Sequence, residues 1–224
     1  MANGGDFVPN GKYSSPTITS QITLHTEQAK RVFNRCFEGA SRSLFSVDVI
    51  ARALADTSKG FDHGGTMDAI NGMINTIEKD IVNAGGRFKI MLKDNNHENT
   101  RPDYNNKGEF TFTISTPEIL RFAKLLQAFD EMLMMFDTCW LTGLIESNKA
   151  QAFRTEKMRM VMRLVRKLQQ QATVARKAFQ RNENRDQMVQ ELGDLSGLTA
   201  EDDAERSAVE ETNRYEDQKE TAAA

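Results

Sequence analysis

The stretch Ser20-Gln-Ile-Thr-Leu-His25, continued by Thr26-Glu-Gln-Ala-Lys-Arg-Val-Phe-Asn-Arg-Cys-Phe-Glu-Gly39, changes its periodicity part-way along. The first six residues alternate polar and apolar, the period-two pattern of a half-buried strand. Ile22 and Leu24 then face inward, and Gln21, Thr23 and His25 face outward. Thr26 supplies a helix-capping hydroxyl, and Ala29, Val32, Phe33, Cys36 and Phe37 come next at helical spacing. Gly39 reads as a helix stop. Ser41 or Ser43 reads as the cap of a second helix whose apolar face holds Leu44, Val47, Ile50, Ala51 and Leu54. The expected unit over residues 20–56 is strand, short helix, short helix. So small a unit cannot bury Phe33 and Phe37 together with Leu44, Phe45, Val49 and Ile50 by itself, so a homodimer is expected.

On the N-terminal side, residues 1–17 are rich in Gly, Asn, Ser and Pro and read as a flexible arm. On the C-terminal side, a loop around Lys59–Gly65 leads to a helix over residues 66–83, marked by Met67, Ile70, Met73, Ile74, Ile77 and Ile81. Ala84-Gly85-Gly86 reads as its end. Arg87–Lys93 and Glu109–Ser115 both alternate, which predicts a β-hairpin across 87–115 with a long polar loop inside it. Ser115-Thr-Pro-Glu118 is a helix start with a capping hydroxyl and an early proline. Two helices are expected over 116–183. The first is strongly apolar (Ile119, Phe122, Leu126, Phe129, Leu133, Phe136). The second has one apolar seam (Val161, Leu164, Leu168, Ala172, Phe179) and is otherwise basic, with Arg154, Lys157, Arg159, Arg163, Arg166, Lys167, Arg176, Lys177 and Arg181. The fold class expected is α+β, mostly helical. One domain is expected over 18–190, followed by a disordered acidic tail over 191–224.

Composition narrows the function classes. Of the 224 residues 39% are hydrophobic and 27% charged, ordinary proportions for a globular chain, and no apolar run reaches membrane-spanning length. The net charge of −3 hides an asymmetry, because residues 191–224 hold eleven acidic side chains against Arg206, Arg214 and Lys219. The remainder carries 26 basic and 21 acidic residues, a mildly cationic body suited to phosphate contact. Cys36 and Cys139 both fall on apolar helix faces, as buried free thiols do in a reducing compartment. No third or fourth ligand stands at zinc-like spacing, so neither metal nor cofactor is expected. Asp130, Glu131 and Asp137 have no His or Cys nearby to complete a catalytic set, and His63-Gly-Gly65 lacks the Lys and Ser/Thr of a phosphate loop. No catalytic residue is assigned, and the chain reads as a non-enzyme.

Strand, helix, helix is the outline of a ribbon-helix-helix unit, and this part of the chain is similar to Arc- and MetJ-type repressors. Over a longer span, Ile22-Thr-Leu-His-Thr-Glu-Gln-Ala-Lys-Arg31, then Leu125-Leu-Gln-Ala-Phe-Asp-Glu-Met-Leu133 and the basic helix, the chain resembles the AcaB-type family of regulators from conjugative elements. The resemblance implies a bacterial, cytoplasmic, homodimeric transcription factor. It would bind double-stranded promoter DNA and activate genes for DNA transfer, with the transcription machinery as a further contact and no membrane association. Laid on that pattern, Gln21, Thr23 and His25 read bases. Lys30, Arg31 and Arg35 of the first helix, with Ser41, Arg42 and Ser43 at the start of the second, meet phosphates. Arg87, Lys89 and Lys93 on the hairpin form an alternative reading strand, or else a lysine-protected edge. The competing class is an adaptor protein of the conjugation machinery that binds proteins, or nucleic acid without sequence preference.

Overall fold

The computed structural model describes residue 7 and residues 16–57 and 63–181. Its elements run β1 (Ile18–Leu24), α1 (Glu27–Thr57), α2 (His63–Asp94), β2 (Gly108–Ile114), α3 (Pro117–Leu141) and α4 (Ser147–Gln180). The α+β, mostly helical class holds. The acidic tail over 191–224 and most of the arm over 1–17 lie outside the described residues. Within the arm, Phe7 packs on α1, its ring 5.5 Å from that of Phe45.

The strand forms where alternation places it, with Ile22 and Leu24 buried and Gln21 and Thr23 exposed. The helical part of the unit departs from the expectation. Glu27–Thr57 is a single helix, not two, so strand-helix-helix is replaced by strand and one long helix. Val32, Cys36, Ala40, Leu44, Val47, Ala51 and Leu54 form one unbroken seam at spacings of three and four, and every one of them is buried. Gly39 lies inside that seam. An internal glycine costs a helix only about 1 kcal/mol relative to alanine, far less than the packing of the seam on either side provides.

The hairpin is also absent, because residues 87–93 belong to α2. Phe88, Ile90 and Leu92 satisfy alternation, but Phe88 and Leu92 also continue the helical stripe Ile70, Ile74, Ile81, Ala84. Exposure decides between the two patterns: Phe88 and Leu92 are buried whereas Ile90 is 61% exposed. Gly85, read as part of a stop, sits buried against α3. A Cβ placed there would lie 3.2 Å from the Met135 side chain.

With no hairpin, β2 pairs with β1 in an antiparallel two-stranded sheet, register Ile18↔Ile114 through Gln21↔Thr111 to Leu24↔Gly108. The ribbon is thus built within one chain. Its inner face is fixed by aromatic contacts: Phe110 stacks on Phe33 at 4.4 Å, and Phe112 meets Phe37 edge-on at 5.1 Å. Phe37 in turn lies 5.8 Å from Phe122 of α3. Of the apolar residues expected to need a partner chain, Phe33, Phe37, Leu44 and Ile50 are buried within the one chain, whereas Phe45 and Val49 are half-buried.

Helix α3 is the centre of the core, with Phe122, Phe129 and Phe136 fully buried along one side. It starts where Ser115-Thr-Pro-Glu118 predicts, with Thr116 at the N-cap and Pro117 in the first turn, though no side-chain capping bond forms. Its end is a Schellman turn: Gly143 at φ +77° lets Leu144 N–H reach Cys139 O at 2.9 Å and Gly143 N–H reach Trp140 O at 3.0 Å. Helix α4 packs its predicted seam, Val161, Leu164, Leu168, Ala172 and Phe179, toward the core.

The continuous α2 makes a direct test. A Cβ at Gly86 would meet nothing within 4 Å, so Gly86→Ala should stabilise the protein by about 0.5–1 kcal/mol, seen as a higher urea midpoint. A loss of stability would mean that residue 86 ends a helix in a left-handed conformation.

Candidate functional site

The turn from β1 into α1 is organised by a carboxylate 104 residues away. Asp130 of α3, 2% exposed, accepts the Thr26 N–H at 2.8 Å and the Thr26 hydroxyl at 2.7 Å on one oxygen. Its other oxygen accepts the His25 N–H at 2.9 Å and lies 3.0 Å from His25 Nδ1. Thr26 is at the same time the N-cap of α1, its Oγ1 accepting the Ala29 N–H at 3.4 Å. The negative charge therefore sits at the N-terminus of α1, where unpaired N–H groups and the helix dipole favour it.

One α3 heptad further on is a second carboxylate, Asp137. It accepts two hydrogen bonds from Arg154 of α4, at 2.6 and 3.0 Å, and one from the Tyr104 hydroxyl at 2.7 Å. The Arg154 guanidinium also lies over the Trp140 ring, 4.8 Å from its centre. Burial, then the bond to Asp137, push the Tyr104 phenol well above its ordinary range, so it stays a proton donor. His25, Lys30, Tyr104, Trp140, Gln151 and Arg154 help line an open polar cleft of about 460 Å³ over this cluster. Asp130, Asp137 and Arg154 all have partners there, an arrangement that holds α1, α3, α4 and the loop around Tyr104 together. Among the described residues no group of three His, Cys, Asp or Glu side chains stands close enough to hold a metal ion.

The residues singled out in the sequence do not converge on one surface. Gln21 and Thr23 lie exposed on the outer ribbon face with Thr19, opposite Thr111, Glu109 and the buried Thr113 respectively, and Gln21 Nε2 donates to Glu109 at 3.4 Å. His25 falls outside the strand, in the turn, with its backbone and ring on Asp130. Lys30 is drawn to Glu27 at 3.0 Å and to the Asn106 carbonyl at 2.9 Å. Arg31 and Arg35 are exposed on α1. Ser41, Arg42 and Ser43, expected at a helix start that meets phosphates, are instead buried in the middle of α1. Arg42 bonds Glu38 at 2.9 Å and lies against Phe7. Arg87, Lys89 and Lys93 are exposed, but on a helix, where Arg87 points away from the face shared by Lys89 and Lys93.

The largest concentration of positive charge among the described residues is α4, which carries nine Lys or Arg residues against the single acid Glu156. Arg163, Lys167 and Lys177 are exposed on it and have no ion-pair partner among the described residues. In the sequence the Asp130–Asp137 pair shows only as two acids seven residues apart on a strongly apolar helix that carries other charged residues as well. What they hold cannot be read there.

No protein-family model and no curated protein matches the chain. Among solved structures the fold is similar to that of selenomethionine-containing AcaB from uropathogenic E. coli, with a TM-score of 0.73 and 24% identity. The match covers 84% of this chain and 98% of that one, so the AcaB-like fold extends over most of the chain. Among the described residues no helix is long and apolar enough to cross a membrane.

The clamp predicts a specific stability loss. Asp130→Ala leaves the His25 and Thr26 donors unmet and should cost about 3–5 kcal/mol in urea unfolding, with Asp130→Asn intermediate. A cost below about 1 kcal/mol for Asp130→Ala would show that the carboxylate does not organise the turn.

Proposed function

We propose that this protein is a DNA-binding transcriptional regulator of conjugative-transfer genes, an activator that works without catalysis and as a homodimer on promoter DNA. The observation that carries the reading is the outer face of the ribbon, where Gln21 and Thr23 stand opposite Thr111 and Glu109, with Thr19 exposed beside them. All five are hydrogen-bonding side chains, and the opposite face is fixed to α1 and α3. The major groove admits a two-stranded ribbon, and its base edges carry the donor and acceptor pattern that such side chains can read. Glutamine pairs with adenine, glutamate accepts from the cytosine amino group, and threonine can serve either role. The ribbon in this reading is β1 with β2 of one chain, in place of two β1 strands from two chains. The exposed cations of α4 provide sequence-independent attraction to phosphate.

The test uses promoter DNA of the element that encodes the protein. Gln21→Ala, Thr23→Ala and Thr111→Ala together keep every inward-facing residue, so the fold should persist. Specific affinity should fall by two or more orders of magnitude, at about 1–3 kcal/mol per lost base contact. Non-specific affinity should barely change. Arg163→Glu with Lys167→Glu should do the reverse, weakening binding to every fragment and making it less salt-dependent. Sedimentation of the complex should give two chains per site. Weak, salt-sensitive binding to all fragments, unchanged by the ribbon substitutions, would overturn the regulator in favour of the adaptor.

A further inference from the structure

Between helices α2 and α4 lies a cleft of about 540 Å³. Its floor is apolar, with Met73 and Ile77 from α2 and Met160 and Leu164 from α4. Its edge is cationic: Arg163 and Lys167 project from α4 one turn apart, exposed and without an ion-pair partner among the described residues. Two like charges at this spacing repel each other, and a carboxylate laid between them removes that cost. The cleft suits a peptide that presents spaced apolar side chains followed by a run of acids.

This chain contains such a segment. Leu192-Gly-Asp-Leu195-Ser-Gly-Leu198 repeats leucine at every third position, and Thr-Ala-Glu201-Asp202-Asp203-Ala-Glu205 adds four carboxylates within five residues. The reach is adequate. Lys167 lies thirteen residues, roughly 20 Å, back from the end of α4 at Gln180. The eleven residues 181–191 can span about 35 Å when extended. A tether of that length keeps the segment at an effective concentration on the order of millimolar, so modest intrinsic affinity suffices.

We infer that residues 192–205 fold back into the α2–α4 cleft of the same chain, leucines on the apolar floor and carboxylates on Arg163 and Lys167. The docked segment covers two exposed cations of α4, Arg163 and Lys167. One consequence, which rests on the nucleic-acid reading, is that the tail competes with phosphate for that surface.

A fluorescein-labelled peptide of residues 190–206 tests the docking by anisotropy, titrated with full-length protein. The intact chain already fills its cleft, so the peptide should bind it weakly. Leu192→Ser, Leu195→Ser and Leu198→Ser together, in the full chain, should vacate the cleft and tighten peptide binding at least ten-fold. Adding Arg163→Glu and Lys167→Glu to that variant should lower its affinity for the peptide at least ten-fold. Melting by circular dichroism should be alike for all three proteins. Equal binding to intact and tail-substituted chains, no binding to either, or binding indifferent to the charge reversal would each overturn the proposal. DNA binding measured on the same proteins separates the two claims: if no DNA binds but the peptide pattern holds, docking stands and the regulator reading fails.

Discussion

A single buried carboxylate does most to fix the relation between the sheet and the helices. Asp130 is seated on the core helix α3 but directs its oxygens to the turn that joins β1 to α1. Burying a lone carboxylate is strongly unfavourable, and here the cost is offset by two backbone N–H groups, a hydroxyl and the positive end of a 31-residue helix. Because these donors come from consecutive residues, His25 and Thr26, the carboxylate fixes the angle between β1 and α1. The strand then has its inner side chains, Ile22 and Leu24, over the core, and its outer residues, Gln21 and Thr23, toward solvent. The exposed ribbon face is a consequence of this anchor as much as of alternation.

Asp137 repeats the device one heptad along, tying α3 to Arg154 and Tyr104. Its guanidinium partner is planar and bonds through two nitrogens, and it also covers Trp140. Together the two acids place polar fasteners at intervals on a helix whose buried side is mostly Phe, Leu, Ile and Met. Hydrophobic burial drives that helix inward, while the acids select which neighbours it meets and at what height.

Local sequence carries those elements whose pattern has one solution. Ile22 and Leu24 alternate over a span too short for a helix, Thr26 caps, and Pro117 opens α3, so these features are legible. The ambiguous places are those where two periods fit the same residues. Phe88 and Leu92 satisfy both a strand and a helix, and Ile90 alone discriminates, by an exposure that only the tertiary structure supplies. Glycine misleads for a related reason. At Gly39 and at Gly85-Gly86 its intrinsic penalty is small beside the packing on either side, and at Gly85 an added Cβ would press on the end of the Met135 side chain of α3. The pairing of β1 with β2 joins residues about ninety positions apart and leaves no local trace. A ribbon inferred from residues 20–56 alone therefore calls for two chains, and it puts Ser41, Arg42 and Ser43 at a helix start they do not occupy.

The ribbon is formed within one chain, and cross-linking measures that directly. Thr23 and Glu109 are opposed in the register, and directly opposed antiparallel residues have Cα atoms about 4.5–5.5 Å apart, within the range a disulfide bridges. Both native thiols, Cys36 and Cys139, are buried. With Thr23→Cys and Glu109→Cys in one chain, mild oxidation should give a product that runs as a monomer on a non-reducing gel and has lost two alkylatable thiols. Disulfide-linked dimers, or thiols that remain free, would contradict the intrachain ribbon.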